Sequence, residues 1–164
     1  QAKEWAQQTL ACVERARFPM ADLRHPLSSV LDVLLSLPGP QDAQRLMDQA
    51  LSHLHKVAGL FPIARANYHL CAGRQAWRKR QSLRAVLHLR RSLSFATSMA
   101  QKYDQAQALL WLGIVGSHRS VRMMVQENPR ERFAAAHALF LRIGAPWEAE
   151  QTDAAARTQA LTER

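Results

Sequence analysis

Apolar residues in this chain recur at the spacing of helical turns, and no run alternates at period two between turn dipeptides. Between residues 41 and 58, Ala43, Leu46, Met47, Ala50, Leu51, Leu54, Val57 and Ala58 fall at i, i+3, i+4 and i+7, the stripe of one buried helical face. Pro38-Gly39-Pro40 precedes that run and Gly59 follows it, the punctuation expected at helix ends. The pattern points to an all-α chain.

A repeat is the next feature to test, because a missed repeat misreads the whole fold. Phe18-Pro19-Met20, Phe61-Pro62-Ile63, Lys102-Tyr103-Asp104 and Pro146-Trp147-Glu148 open four similar segments, each about 40 residues from the next. Leu70-Cys71-Ala72-Gly73 corresponds to Leu110-Trp111-Leu112-Gly113. In the same way Leu89, Ser92, Phe95 and Met99 correspond to Phe133, Ala136, Leu139 and Ile143. Two helices per unit follow, with neither helix able to bury its apolar face alone. A glycine inside a helix costs about 1 kcal/mol against alanine, so Gly73 and Gly113 imply close approach of a partner helix.

The chain therefore parses into helices at residues 2–17, 20–37, 41–58, 62–77, 82–101, 103–126, 129–143 and 146–161, about eight in all. Pro26 favours a later start for the second of these, since proline suits a first helical turn. Asn128-Pro129 reads as a cap followed by proline at the first helical position. The helix at 82–101 is apolar on more than one side and is expected to lie between neighbours. Tyr103, Trp111 and Trp147, near unit junctions, are expected to pack between repeats. Met123-Met124 reads as core or as a soft apolar contact surface.

The residues Ala106 to Gly113 (AQALLWLG), Ala134 to Phe140 (AAAHALF) and Ile143-Gly144-Ala145-Pro146-Trp147 resemble a tetratricopeptide-type array. The phrase Ala138 to Ala145 (ALFLRIGA) is similar to the C-terminal repeats of MalT/LuxR-type regulators and of bacterial nucleotide cyclases. The units are longer than the 34 residues usual for that family, and Gly113 is followed by Ile114-Val115-Gly116 without the family's tyrosine. The resemblance implies a right-handed solenoid of antiparallel helical hairpins. It carries no binding residues over, because its motif positions are packing positions.

Composition excludes several classes. The chain has 164 residues, 48% hydrophobic and 21% charged, enough for one folded core and unlike a disordered segment. No apolar run approaches the roughly 18 residues of a membrane span. Gln1-Ala2-Lys3-Glu4-Trp5 reads as the middle of a helix and not as a signal peptide. The expectation is a single helical-repeat domain over residues 1–164, taken from a larger cytoplasmic protein. Cys12 and Cys71 form no ligand-like pair and are expected as reduced thiols on apolar helix faces. His53 and His55 point apart on a helix, and no phosphate-binding, metalloprotease or nucleophile-elbow motif occurs. The chain is expected to be no enzyme, with no metal and no cofactor.

One surface feature stands out. Arg74, Trp77, Arg78, Lys79, Arg80, Arg84, His88, Arg90 and Arg91 gather in one hairpin of a chain whose formal net charge is +9. Spacings of four and three put Arg84, His88 and Arg91 on one side of the second helix. Arg80 joins that face if the helix begins early. Arg74, Trp77, Arg78, Arg80, Arg84, His88 and Arg91 are the candidate partner-binding residues. They suit an acidic protein segment or, through phosphate contacts and stacking on Trp77, a nucleic acid. The expected function is a protein-interaction or regulatory module of a larger signalling or transcription-regulatory protein, whose partner is a protein, a peptide or another domain of the parent chain. Nucleic-acid binding is the alternative, and a small-molecule pocket between helices a third reading.

Overall fold

The computed structural model describes residues 1–15, 24–36, 41–122 and 128–162, all in helices or the short turns between them. The helices are α1 (Ala2–Arg15), α2 (Arg24–Ser36), α3 (Gln41–Leu60), α4 (Arg65–Arg78), α5 (Ser82–Ser98), α6 (Lys102–Ser117), the four-residue α7 (Arg119–Arg122), α8 (Pro129–Arg142) and α9 (Pro146–Thr162). A 3-10 turn, Pro62–Ala64, leads into α4. The fold is an all-α helical array with packing between neighbouring helices. Among the described residues no helix is long and apolar enough to cross a membrane.

The chain divides into two compact units, Gln1–Ala72 and Gly73–Arg164. In the first, α1, α2 and α3 pack together. The expected stripe on α3 is the buried one: Ala43, Met47, Ala50, Leu54 and Val57 are covered, and Leu46 and Leu51 pack at its margin. Leu27, Val30, Leu31 and Leu34 of α2 and Leu10 and Val13 of α1 complete this core. Side-chain hydrogen bonds add links: Ser28 bonds Asn67, and Arg65 Nε donates to the Ala58 carbonyl at 3.3 Å. Cys71 is buried here, whereas Cys12 lies on the exposed side of α1, so only one thiol is where the apolar-face expectation puts it.

In the second unit two hairpins share a packing feature at positions that the sequence register aligns. A Cβ on Gly73 would sit 2.8 Å from Leu89 Cγ, and one on Gly113 would sit 2.9 Å from the Phe133 ring. Leu89 and Phe133 are the very residues that the repeat register makes equivalent. In both hairpins a glycine on the first helix thus receives a large apolar side chain from the second. Ser92 and Ala136, and then Ala96 and Phe140, are buried in the same register.

The turns repeat too. The Arg80 amide donates to Trp77 O and Gln81 to Ala76 O; Ala100 and Gln101 do the same to Thr97 and Ala96, and Gly144 and Ala145 to Leu141 and Phe140. The residue in the middle has positive φ each time: 59° at Arg80, 54° at Ala100 and 73° at Gly144. This is the Schellman helix ending, which satisfies two terminal carbonyls and reverses the chain in a few residues. Ala100 and Gly144 lie at equivalent positions of the repeat.

Two expectations change. The span 103–126 is not one helix: α6 stops at Ser117, His118 is extended (φ −72°, ψ 128°), and its carbonyl accepts from Val121 and Arg122 to start α7. Ser117 Oγ donates back to the Gly113 carbonyl at this end, and buried Val121 is drawn inward by the break. The interior helix is α6, which packs against α5, α7, α8 and α9. It buries Ala106, Ala108, Leu109, Leu112, Gly113 and Val115, too wide a set for one narrow stripe. α5 buries a single stripe, Ala85, Leu89, Ser92 and Ala96 with Val86, and leaves its second apolar side exposed. The cap at α8 is as expected: Asn128 Oδ1 accepts from the Arg130 amide at 3.1 Å and Pro129 takes the first helical position.

Candidate interaction surface

No aspartate or glutamate occurs between Asp48 and Asp104, an interval that holds ten lysines and arginines. Outside it the acidic and basic residues nearly cancel, so the +9 net charge belongs to this stretch alone. The candidate residues occupy its centre, on the last turns of α4, the turn that follows, and α5.

The structure divides them into two groups. Arg74 and Trp77 turn toward α6. The Arg74 guanidinium lies over the Trp111 ring, 4.8 Å from its centroid, and the Trp77 ring meets His118 edge-on at 5.3 Å. Both side chains are half-buried, so their aromatic and cationic surfaces are largely spent on the fold. Arg78 is half-buried as well. Arg80, Arg84 and Arg91 form the second group and are exposed. Arg80 stands in the turn at positive φ, because α5 begins only at Ser82; it lies beside the helical face of Arg84 and not on it.

Arg84, His88 and Arg91 do share one side of α5. Partial burial, and then the positive charges of Arg84 and Arg91, hold the His88 imidazole below its ordinary pKa. The neutral form is therefore favoured at neutral pH, and the ring adds no charge to the surface there.

Next to this arginine row lies a feature that helical counting placed elsewhere. Leu83 and Leu87 are 60% and 51% exposed, on the side of α5 opposite Leu89. With Gln81, Ser82 and Arg84 they line a shallow depression of about 410 Å³. The apolar count that suggested a covered helix was right about the leucines, but counting cannot tell whether a neighbour lies over them.

The aromatic residues near the unit junctions are less buried than expected. Tyr103 is 47% and Trp147 66% exposed, because each sits in the first turn of its helix, at the rim. Tyr103 still meets Phe140 edge-on at 5.8 Å and donates to Glu148 Oε1 at 3.3 Å. Trp111 is half-buried beneath Arg74. Met123 and Met124 lie outside the described residues.

A separate cavity of about 710 Å³ is bounded by Ser117, Arg122, Asn128, Arg130, Phe133 and Asp153 among others. None of the candidate residues reaches it. Near its edge Asp153 pairs with His137 Nε2 at 3.5 Å. Among the described residues no group of three or more histidine, cysteine or carboxylate side chains is placed to hold a metal ion.

Comparison with known proteins adds no relative: no family model, curated protein or solved structure matches this chain.

Proposed function

We propose that this chain is a non-catalytic protein-interaction module, the regulatory part of a larger cytoplasmic signalling or transcription-regulatory protein, and that it binds through the basic hairpin formed by α4 and α5. One observation carries the reading: the whole net charge is concentrated in an acid-free stretch whose Arg80, Arg84 and Arg91 are exposed. A solvated surface ordinarily intersperses both signs, so a block of one sign is an electrostatic footprint for a partner of the other. The two free cysteines, Cys12 and Cys71, fit a reducing compartment. The repeat resemblance supports an interaction role by analogy of fold.

A nucleic acid is the other polyanion to consider. The arginines favour it, but the engagement of Trp77 with His118 and of Arg74 with Trp111 withdraws the stacking platform it would use. Fluorescence anisotropy with labelled poly-glutamate, duplex DNA and single-stranded RNA, at low and near-physiological salt, decides between them. The module reading expects binding to the acidic polypeptide that falls at least tenfold in Arg84→Glu/Arg91→Glu. Nucleic-acid binding that persists at near-physiological salt, and is lost in the same variant, replaces it with the second reading.

A further inference from the structure

Within each unit of the repeat the second helix has a buried side and an outer side, and the two repeats can be compared position by position. On α8, the residues equivalent to Leu87, Arg90, Arg91 and Ser94 of α5 are Glu131, Ala134, Ala135 and Ala138, all exposed. That outer face has one acid and three alanines, and α8 folds on α6 with it. The fold therefore has no need of leucines or arginines at this place, although α5 carries both.

The arrangement on α5 is ordered. Leu83 and Leu87, four residues apart, make a ridge along the helix. Arg84 and Arg91 line one flank of that ridge and Arg90 the other, while the buried stripe of Ala85, Leu89, Ser92 and Ala96 lies on the far side. An apolar ridge with cationic flanks is the complement of an apolar ridge with anionic flanks. From this juxtaposition we infer that the outer face of α5 is the docking surface for an acidic amphipathic helix of a partner protein. The inference rests on the protein-interaction reading above and gives that reading its partner class.

The chemistry selects this occupant. Phosphates would use the arginines and gain nothing from two exposed leucines. An extended peptide would find no backbone partners on a helix surface, and its amides would go unsatisfied where it covered them. A helix satisfies its own backbone and presents apolar anchors at i, i+3 or i+4, which pack ridge into groove against Leu83 and Leu87. A second copy of this face would set arginine against arginine. Between residues 1 and 164 the undescribed segments are short and none holds more than one acidic residue, so none of them supplies such a helix. The face from Leu83 to Ser94 is about 17 Å long, which suits a partner helix of roughly three turns.

The test uses the full chain and a labelled helix-forming peptide of about 15 residues with leucine at i, i+3 and i+4 and glutamate elsewhere. A scrambled peptide of the same composition, poly-glutamate, duplex DNA and phosphatidylserine-containing vesicles are the comparison probes. The expected result is saturable binding of the amphipathic peptide, at least tenfold tighter than the scramble or poly-glutamate. Leu83→Ser/Leu87→Ser should weaken it at least tenfold with helicity unchanged by circular dichroism, and Arg84→Glu/Arg91→Glu should do the same and flatten its salt dependence. If the leucine pair has no effect and the arginine pair abolishes binding, the interaction module stands and this inference falls. If neither pair matters, both fall. Tighter binding to duplex DNA than to the peptide, or vesicle binding that requires the leucines, overturns the peptide assignment.

Discussion

The two glycines at the helix crossings give the sharpest check on how the second unit packs. In an unobstructed helix interior, Gly→Ala stabilises by about 1 kcal/mol, because alanine loses less conformational freedom. At Gly113 the added Cβ would lie 2.9, 3.0 and 3.1 Å from three atoms of the Phe133 ring, against the 3.5–4.0 Å at which carbon atoms rest. A buried ring cannot yield those tenths of an ångström without displacing its own neighbours, and overpacking of this kind costs about 1–3 kcal/mol. The clash offsets or outweighs the propensity, so Gly113→Ala should destabilise by up to about 2 kcal/mol. Gly73→Ala meets Leu89 Cγ at 2.8 Å and the Ala85 carbonyl oxygen at 3.3 Å and should behave alike. Gly59 has nothing within 4 Å of such a Cβ, and Gly59→Ala should be neutral or stabilising by up to about 1 kcal/mol. Urea titration followed by circular dichroism and tryptophan fluorescence measures all three; Trp77, Trp111 and Trp147 lie in the second unit, so fluorescence reports chiefly on it. A double-mutant cycle of Gly113→Ala with Phe133→Leu should show the two changes partly cancelling. Stabilisation by Gly113→Ala and Gly73→Ala, equal to that at Gly59, would refute the close-approach argument.

Three further outcomes follow from local geometry. Ala100 pays for its φ of 54° with a steric penalty that glycine avoids, so Ala100→Gly should raise stability by about 1 kcal/mol in the same urea titration. Asn128→Ala removes the oxygen that accepts from the Arg130 amide and should cost about 1 kcal/mol. For His88 the folded-state pKa is depressed, so the unfolded chain takes up this proton first. Stability should therefore fall as pH drops from 7 through the unfolded value of about 6.5 and below; His88→Gln should flatten that slope, and NMR titration of Arg84→Ala should move the imidazole pKa upward.

Helix positions were legible in the sequence because they depend on neighbours along the chain. Proline, glycine and asparagine fix ends through their own backbone chemistry, as Asn128-Pro129 does at α8, and the 3.6-residue period of Ala43, Met47, Ala50 and Leu54 shows which side of α3 is covered. The close approaches at Gly73 and Gly113 were legible for a related reason: a glycine inside a helix implies a large neighbour against it, and Leu89 and Phe133 supply those neighbours. The break at His118 was missed although Gly116-Ser117 offers a local stop signal, because the apolar pattern runs on past it to Val121, which the core buries beyond the turn.

The candidate surface divides along the same line. Its charge and the alignment of Arg84, His88 and Arg91 follow from sequence, because an α-helix sets their directions once it forms. Sequence could not say that Arg74 lies on Trp111, that Trp77 meets His118, or that Leu83 and Leu87 stay uncovered. A side chain's exposure is decided by what the other helices bring to it, and those lie dozens of residues away. By itself the sequence determined the all-α class, most helix positions and the sign of the net charge. Tertiary structure alone decided which arginines face inward and which apolar residues face water, because burial is a property of the packed array and not of any one helix.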